Sequence, residues 1–179
     1  MPAKPRVTEQ VLGAWVIKSN PKIARLPDPE PELGFAYLDN WLMLDSYRAR
    51  MMADRQRIAL WVTGRGKGQQ APGFWGFGHV NGPAYEVFAD DETDEFFEED
   101  IYTGRVILRV PIMVPILTYP LPRAHAQADP VLSGMELFRA PQQGNPGFLT
   151  HEEVAAIEQV IGAWPSYINI HADDDNDDG

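Results

Sequence analysis

The chain has 179 residues, 44% of them hydrophobic, with five Trp, eight Phe and six Tyr, which suffices for one domain with a substantial core. It has no Cys, which excludes disulfides, thiolate catalysis and Cys-ligated zinc. No apolar run approaches the roughly 20 residues that span a bilayer, and MPAKPRVTEQ lacks the apolar segment of a signal peptide, so a cytoplasmic protein is expected. The net charge of −11 is unevenly placed: residues 1–67 hold 11 of the 15 Lys and Arg against seven acids, whereas 68–179 hold four against 19. A wholly basic footprint is absent, but a local basic face remains open.

Residues 1–12 read as an N-terminal arm, 13–165 as the domain, and 166–179 as a solvated, disordered acidic tail. The organising stretch is Gly13 to Lys22, GAWVIKSNPK. Trp15, Val16 and Ile17 are aromatic or β-branched and suit a buried strand over 13–18. That strand ends in Lys18, Ser19 and Asn20, and Pro21 biases Asn20 to extended or turn geometry. Polar groups converging at the mouth of a rigid strand suit a small pocket. A plain turn uses the same residues.

Residues 21–35 contain Pro21, Pro27, Pro29 and Pro31 and read as a structured loop. Asp39-Asn40 offers an N-cap for a helix over about 40–55, with Trp41, Leu44, Tyr47 and Met51 at helical spacing. On this pattern Trp41 reads first as a core aromatic. Arg48, Arg50, Arg55 and Arg57 read as a solvated face.

IALWVT (58–63) alternates as a strand, with Ile58, Leu60 and Val62 opposed to Ala59, Trp61 and Thr63. A basic loop carrying Arg65 and Lys67 follows. GFWGFGHV (73–80) is a glycine-rich strand, in which Gly73, Gly76 and Gly78 permit either strong bending or the close approach of a backbone or ligand. Residues 83–88 extend the sheet, and the acidic 90–100 segment reads as a solvated face anchored by Phe96 and Phe97. Residues 104–117 form a strong strand that Pro111 and Pro115 end or confine to an edge, and 118–135 read as loop. Thr150 and Glu153 stand at capping-box spacing before a helix whose core face is Val154, Ile157, Ile161 and Trp164. Strands, two main helices and much loop favour an α+β domain with a small, strongly bent sheet or barrel.

Catalytic patterns are missing. The four histidines show no metal-binding spacing, no G-x-S-x-G elbow is present, and GRGKG does not have the spacing of a Walker loop. No catalytic residue, metal or cofactor is assigned, and the chain is expected not to be an enzyme.

Four segments in order resemble the EVE domain of the PUA-like superfamily, a relative of YTH domains: WVIKSNPK, DNWLM, RIALWVTG followed by PGFWGFGHV, and MELFRAPQQGNPGFLTHEEVAAI. Together they span about 13–163. The proline-rich 21–35 loop, the long 64–73 loop and the acidic segments depart from the family pattern. The resemblance implies a PUA-like pseudobarrel of mixed, strongly bent strands with flanking helices. It further implies a non-catalytic pocket that takes a methylated or otherwise altered base flipped from DNA or RNA. On that reading Trp41, Trp61 and Trp75 are candidates for the aromatic pocket, although Trp61 and Trp75 fit the core equally well. Ser19 and Asn20 are candidates for reading the base edge. Lys18 and Lys22 stand for the rim or a phosphate, Arg65 and Lys67 for phosphates, and Arg139 for a phosphate or a structural ion pair. The alternative is a small-molecule sensor or protein-interaction domain using the same pocket, which the −11 charge favours.

Overall fold

The alternation in AWVIKS and RIALWV carries the centre of the sheet. The computed structural model describes residues 6–21, 26–64, 71–89 and 104–169. Among the described residues seven strands are formed: β1 (Ala14–Ser19), β2 (Tyr37–Met43), β3 (Arg57–Val62), β4 (Gly73–Val80), β5 (Tyr85–Phe88), β6 (Val106–Pro122) and β7 (Gly147–Leu149). They make one mixed sheet in the order β2-β6-β4-β3-β1-β7, with β5 also on β6. Among the described residues this path does not close on itself. β1 and β3 run parallel, Trp15 to Ser19 matching Ile58 to Val62, and the other pairs are antiparallel.

Period-2 alternation gives the sheet two apolar faces. Trp15, Ile17, Ile58, Leu60 and Val62 share one core with Trp41, Trp75, Val110 and Ile112. Val16, Ala59, Trp61, Phe74 and Phe77 share the other with Leu132, Met135, Val154, Ile157 and Trp164. The second face is covered by short helices: α2 (Arg123–Ala128), a turn of 3-10 helix at Leu132–Gly134, α3 (Glu136–Arg139) and α4 (His151–Ile161).

The 17-residue β6 runs through the middle of the sheet, against the expectation that Pro111 and Pro115 end it or confine it to an edge. A missing N–H is tolerated where a ladder is already irregular. The β2–β6 register slips between Leu38 and Asn40, opposite Val114 and Pro111, and the Pro111 carbonyl still accepts from the Asn81 N–H at 2.8 Å. The bend also explains the glycines of β4. A methyl group at Gly78 would lie 1.9 Å from the Met113 carbonyl oxygen, and one at Gly76 2.7 Å from that of Pro115. Close approach of β6, not of a ligand, requires them.

Two expected elements are corrected. Residues 40–55 are not one helix: Tyr37–Met43 is β2, and α1 is only Tyr47–Met51, capped by the Ser46 hydroxyl, which accepts from the Ala49 N–H. Pairing of Trp41 with Val110 and of Met43 with Leu108 overrides the helical spacing. The 118–135 stretch is the end of β6 followed by α2 and the 3-10 turn.

The α4 capping box is formed as its spacing predicts. The Thr150 hydroxyl accepts from the Glu153 N–H at 3.2 Å, and the Glu153 carboxylate accepts from the Thr150 N–H at 3.1 Å. The helix stops at Gly162, which holds φ 95°, ahead of Pro165. The chain then returns over β4, where the Trp164 indole donates to the Gly78 carbonyl at 2.9 Å.

Candidate functional site

Where β1 and β3 end side by side, the chain returns twice, through α2 and through α3 with the loop after it. Between them lies a cleft of about 390 Å³, within the range of small-ligand pockets. Lys18 and Trp61 line it together with Thr63, Gly64, Arg123, Gln127, Leu137, Phe138 and Pro141. Its aromatic wall is an edge-to-face array, with the Trp61 ring 4.7 Å from Phe74 and 5.8 Å from Phe138. The Thr63 N–H and hydroxyl both donate to the Ser19 carbonyl, at 2.9 and 3.3 Å, which locks the two strand ends.

Lys18 is held from the loop before β7. Asn145 accepts from the Lys18 N–H at 2.7 Å and donates to its carbonyl at 3.0 Å. The Lys18 ammonium donates to the carbonyls of Pro141, at 3.2 Å, and Gln143. Burial pushes its pKa below the ordinary lysine value, while the charge of Glu136 pulls the other way. Arg123, half-buried, is the second cation of the cleft.

Beneath this arrangement sits a buried ion pair. Arg48 meets the Glu136 carboxylate with both terminal nitrogens at 2.9 Å. It also donates to the Pro146 carbonyl, and Glu136 accepts from the Phe148 N–H at 3.1 Å. Arg48 is thus not on a solvated face: it ties α1 to α3 and to the segment that holds Lys18. Arg50, by contrast, is exposed and pairs with Asp45 and Glu86.

The other candidates are distributed elsewhere. Ser19 is buried and Asn20 exposed at the end of β1. Trp41 is 6% exposed and packs in the first core rather than at the cleft. Trp75 belongs to that same core and lines a separate cavity of about 220 Å³ with Leu26, Asp28, Phe35 and Ile116, its indole donating to the Ala71 carbonyl at 2.6 Å. Arg139 is exposed and donates to the Gly134 carbonyl at 2.6 Å. Lys22, Arg65 and Lys67, like Phe96, Phe97 and the acidic runs around them and after 170, lie outside the described residues. Sequence reasoning missed Arg123, Gln127 and Phe138, whose stretches were read as loop or as part of a motif. It also missed Asn145, whose only local signal is the Gly-Asn-Pro turn. Among the described residues no three His, Asp or Glu side chains are grouped so as to hold a metal ion, and no helix is long and apolar enough to cross a membrane.

No protein-family model and no curated protein matches the chain. Its fold is similar to those of solved structures. A hypothetical protein from Leishmania major is 22% identical with a TM-score of 0.57, the match covering 83% of this chain and 94% of that one. PSPTO5229 from Pseudomonas syringae is 19% identical with a TM-score of 0.53, over 82% and 98% of the two chains. Human THYN1, solved in complex with DNA containing 5-methylcytosine, is 17% identical with a TM-score of 0.52, over 85% and 99%. The fold is therefore EVE-like, an α+β arrangement of the PUA-like kind built on a mixed, bent sheet. At these identities the likeness is one of fold.

Proposed function

We propose that the protein is a non-catalytic reader of nucleic acid that takes a modified base, turned out of its helix, into the cleft between β1, β3, α2 and α3. The observation that carries this reading is the meeting of Trp61 and Phe138 with Lys18 and Arg123 around about 390 Å³ at the end of the sheet. A flipped base loses its stacking, and aromatic side chains restore about 1–3 kcal/mol per base. Its polar edge needs partners, because each buried unpaired group costs about 1–3 kcal/mol. Gln127 and the Thr63 hydroxyl are the uncharged polar side chains at hand. Arg123 supplies the forked donor suited to a flanking phosphate. THYN1, a neighbour in fold, was solved with DNA carrying a methylated base, which supports the ligand class. The net charge of −11 implies few phosphate contacts and so a shallow salt dependence.

The test is a thermal-shift and fluorescence-anisotropy panel of short DNA and RNA oligonucleotides with and without methylated bases. One modification should bind preferentially, and Phe138→Ala should weaken that binding about tenfold, roughly the lower end of one lost stacking contact. Arg123→Gln should weaken modified and unmodified strands alike. A flat panel with folded protein, or unchanged binding by Phe138→Ala, sinks the reading. Salt-insensitive binding of free small molecules would instead favour the sensor alternative.

A further inference from the structure

β1 and β3 have a second end, and a different cleft lies there. It measures about 450 Å³ and opens between Glu9 and Gly13 ahead of β1, Arg55 and Arg57 leading into β3, His79 near the end of β4, and His151 at the start of α4. Arg57 and His79 face each other across the β3–β4 register. In a chain of net charge −11, two arginines and two histidines converge here against one lining acid among the described residues, Glu9.

Arg55 is set in place rather than loosely displayed. Arg55 is the one residue other than glycine at positive φ among the described residues, at 72°, and its N–H donates to the Val80 carbonyl at 2.9 Å. A left-handed non-glycine residue is strained and persists where its surroundings over-determine it, commonly at functional sites. The Arg55 guanidinium lies 4.4 Å above the Tyr167 ring, and Tyr167 in turn donates to Asp54 at 2.8 Å and stands edge-on to His79. Asp54 also lies 3.9 Å from Arg55. The Gln56 side-chain amide oxygen, Oε1, is fixed by the Trp15 indole and the Ala53 N–H, both donating at 2.7 Å. Arg57 is exposed and enters no ion pair among the described residues. A fixed arginine, a second one without a carboxylate partner among the described residues, and His151 at a helix N-terminus, whose Nε2 also meets the Gln10 carbonyl at 3.0 Å, together suit the oxygens of a phosphate.

We propose that this cleft is a phosphate-binding site, occupied by a backbone phosphate of the nucleic acid whose base enters the cleft at the other end of β3. The choice of a nucleic-acid phosphate rests on the proposed function; the site itself does not. From Arg57 to Thr63 the strand covers about 20 Å, close to six steps of a B-form helix at about 3.4 Å each. The two clefts are therefore spaced along the protein for contacts about half a helical turn apart.

The first test uses inorganic phosphate and no base. The His79 and His151 imidazole resonances are followed by NMR as phosphate replaces chloride at constant ionic strength. Saturable shifts are expected, weakened several-fold in Arg57→Gln and in Arg55→Gln. No saturable shift, or an undiminished one in both variants, overturns the site. The second test measures binding of duplexes with and without the modified base across salt concentrations. Arg57→Gln should flatten the slope of log K against log salt by about 1 for both duplexes and leave their affinity ratio unchanged. A phosphate response with an unchanged salt slope, or with no duplex binding at all, overturns the backbone assignment and gives the site to a small phosphorylated ligand. Equal affinity for the two duplexes would overturn the base-reading proposal while this site stood.

Discussion

The two faces of the sheet treat tryptophan differently. On the first face Trp15 and Trp41 are buried in the core formed with neighbouring strands, and Trp75 of that core lines the cavity of about 220 Å³ beside the loop ahead of β2. On the second, Trp61 is covered by short helices and loops, and the gap between α2 and α3 leaves its edge as the wall of a cleft. Residue type and strand alternation are the same on both faces. What covers the ring decides whether it serves packing or also a site, and short helices joined by loops cover less completely than a neighbouring strand.

Substitutions can break that contrast, beginning with the largest expected effect. Trp41→Ala should destabilise the fold by about 3–5 kcal/mol, as for a buried aromatic truncated in a core. The measurement is chemical denaturation, and a small change with lost ligand binding would move Trp41 from the core to the site. Arg48→Ala should cost about 3–5 kcal/mol by leaving Glu136 charged and buried. Arg48→Ala combined with Glu136→Ala should recover part of that loss. Equal stability of the single and double variants would show that the pair acts through packing alone. Thr150→Ala, which removes the cap of the helix lying over the second face, should cost about 1 kcal/mol and leave Trp41 fluorescence contributions unmoved.

The smallest effect is one of pH. Burial, with the nearby charge of Arg57, lowers the His79 pKa below its ordinary value of 6.5. In the unfolded chain the imidazole binds its proton more readily, so the stability this residue contributes is present above pH 6.5. It is lost as pH falls through the lowered folded-state value. His79→Gln should remove that part of the acid limb of a stability–pH curve. An acid limb of unchanged shape would mean that the folded His79 takes up its proton freely.

Much of the first face was legible because its signal is local. Ile58, Leu60 and Val62 alternate with Ala59 and Trp61 whatever they pack against, and Thr150 with Glu153 forms its box within one helical turn. What escaped depends on distant partners. Trp41, Leu44, Tyr47 and Met51 have helical spacing, yet β6 captures Trp41 as a strand residue from about 70 positions away. Arg48 looked solvated because its partner, Glu136, stands 88 residues on. The cleft was legible only in part: Lys18 and Trp61 end strands whose pattern is readable, while Arg123 and Phe138 arrive from helices too short to show a period.

The grip of Asn145 on Lys18 has a consequence of another kind. β7 pairs with β1 only from Ala14 to Val16, which would leave the last residues of β1 as an open edge, available for another chain to add a strand. The Asn145 amide donates and accepts there as a strand backbone would. One side chain thus stands in for the missing length of β7, and guards the molecule against self-association at the end of a buried strand.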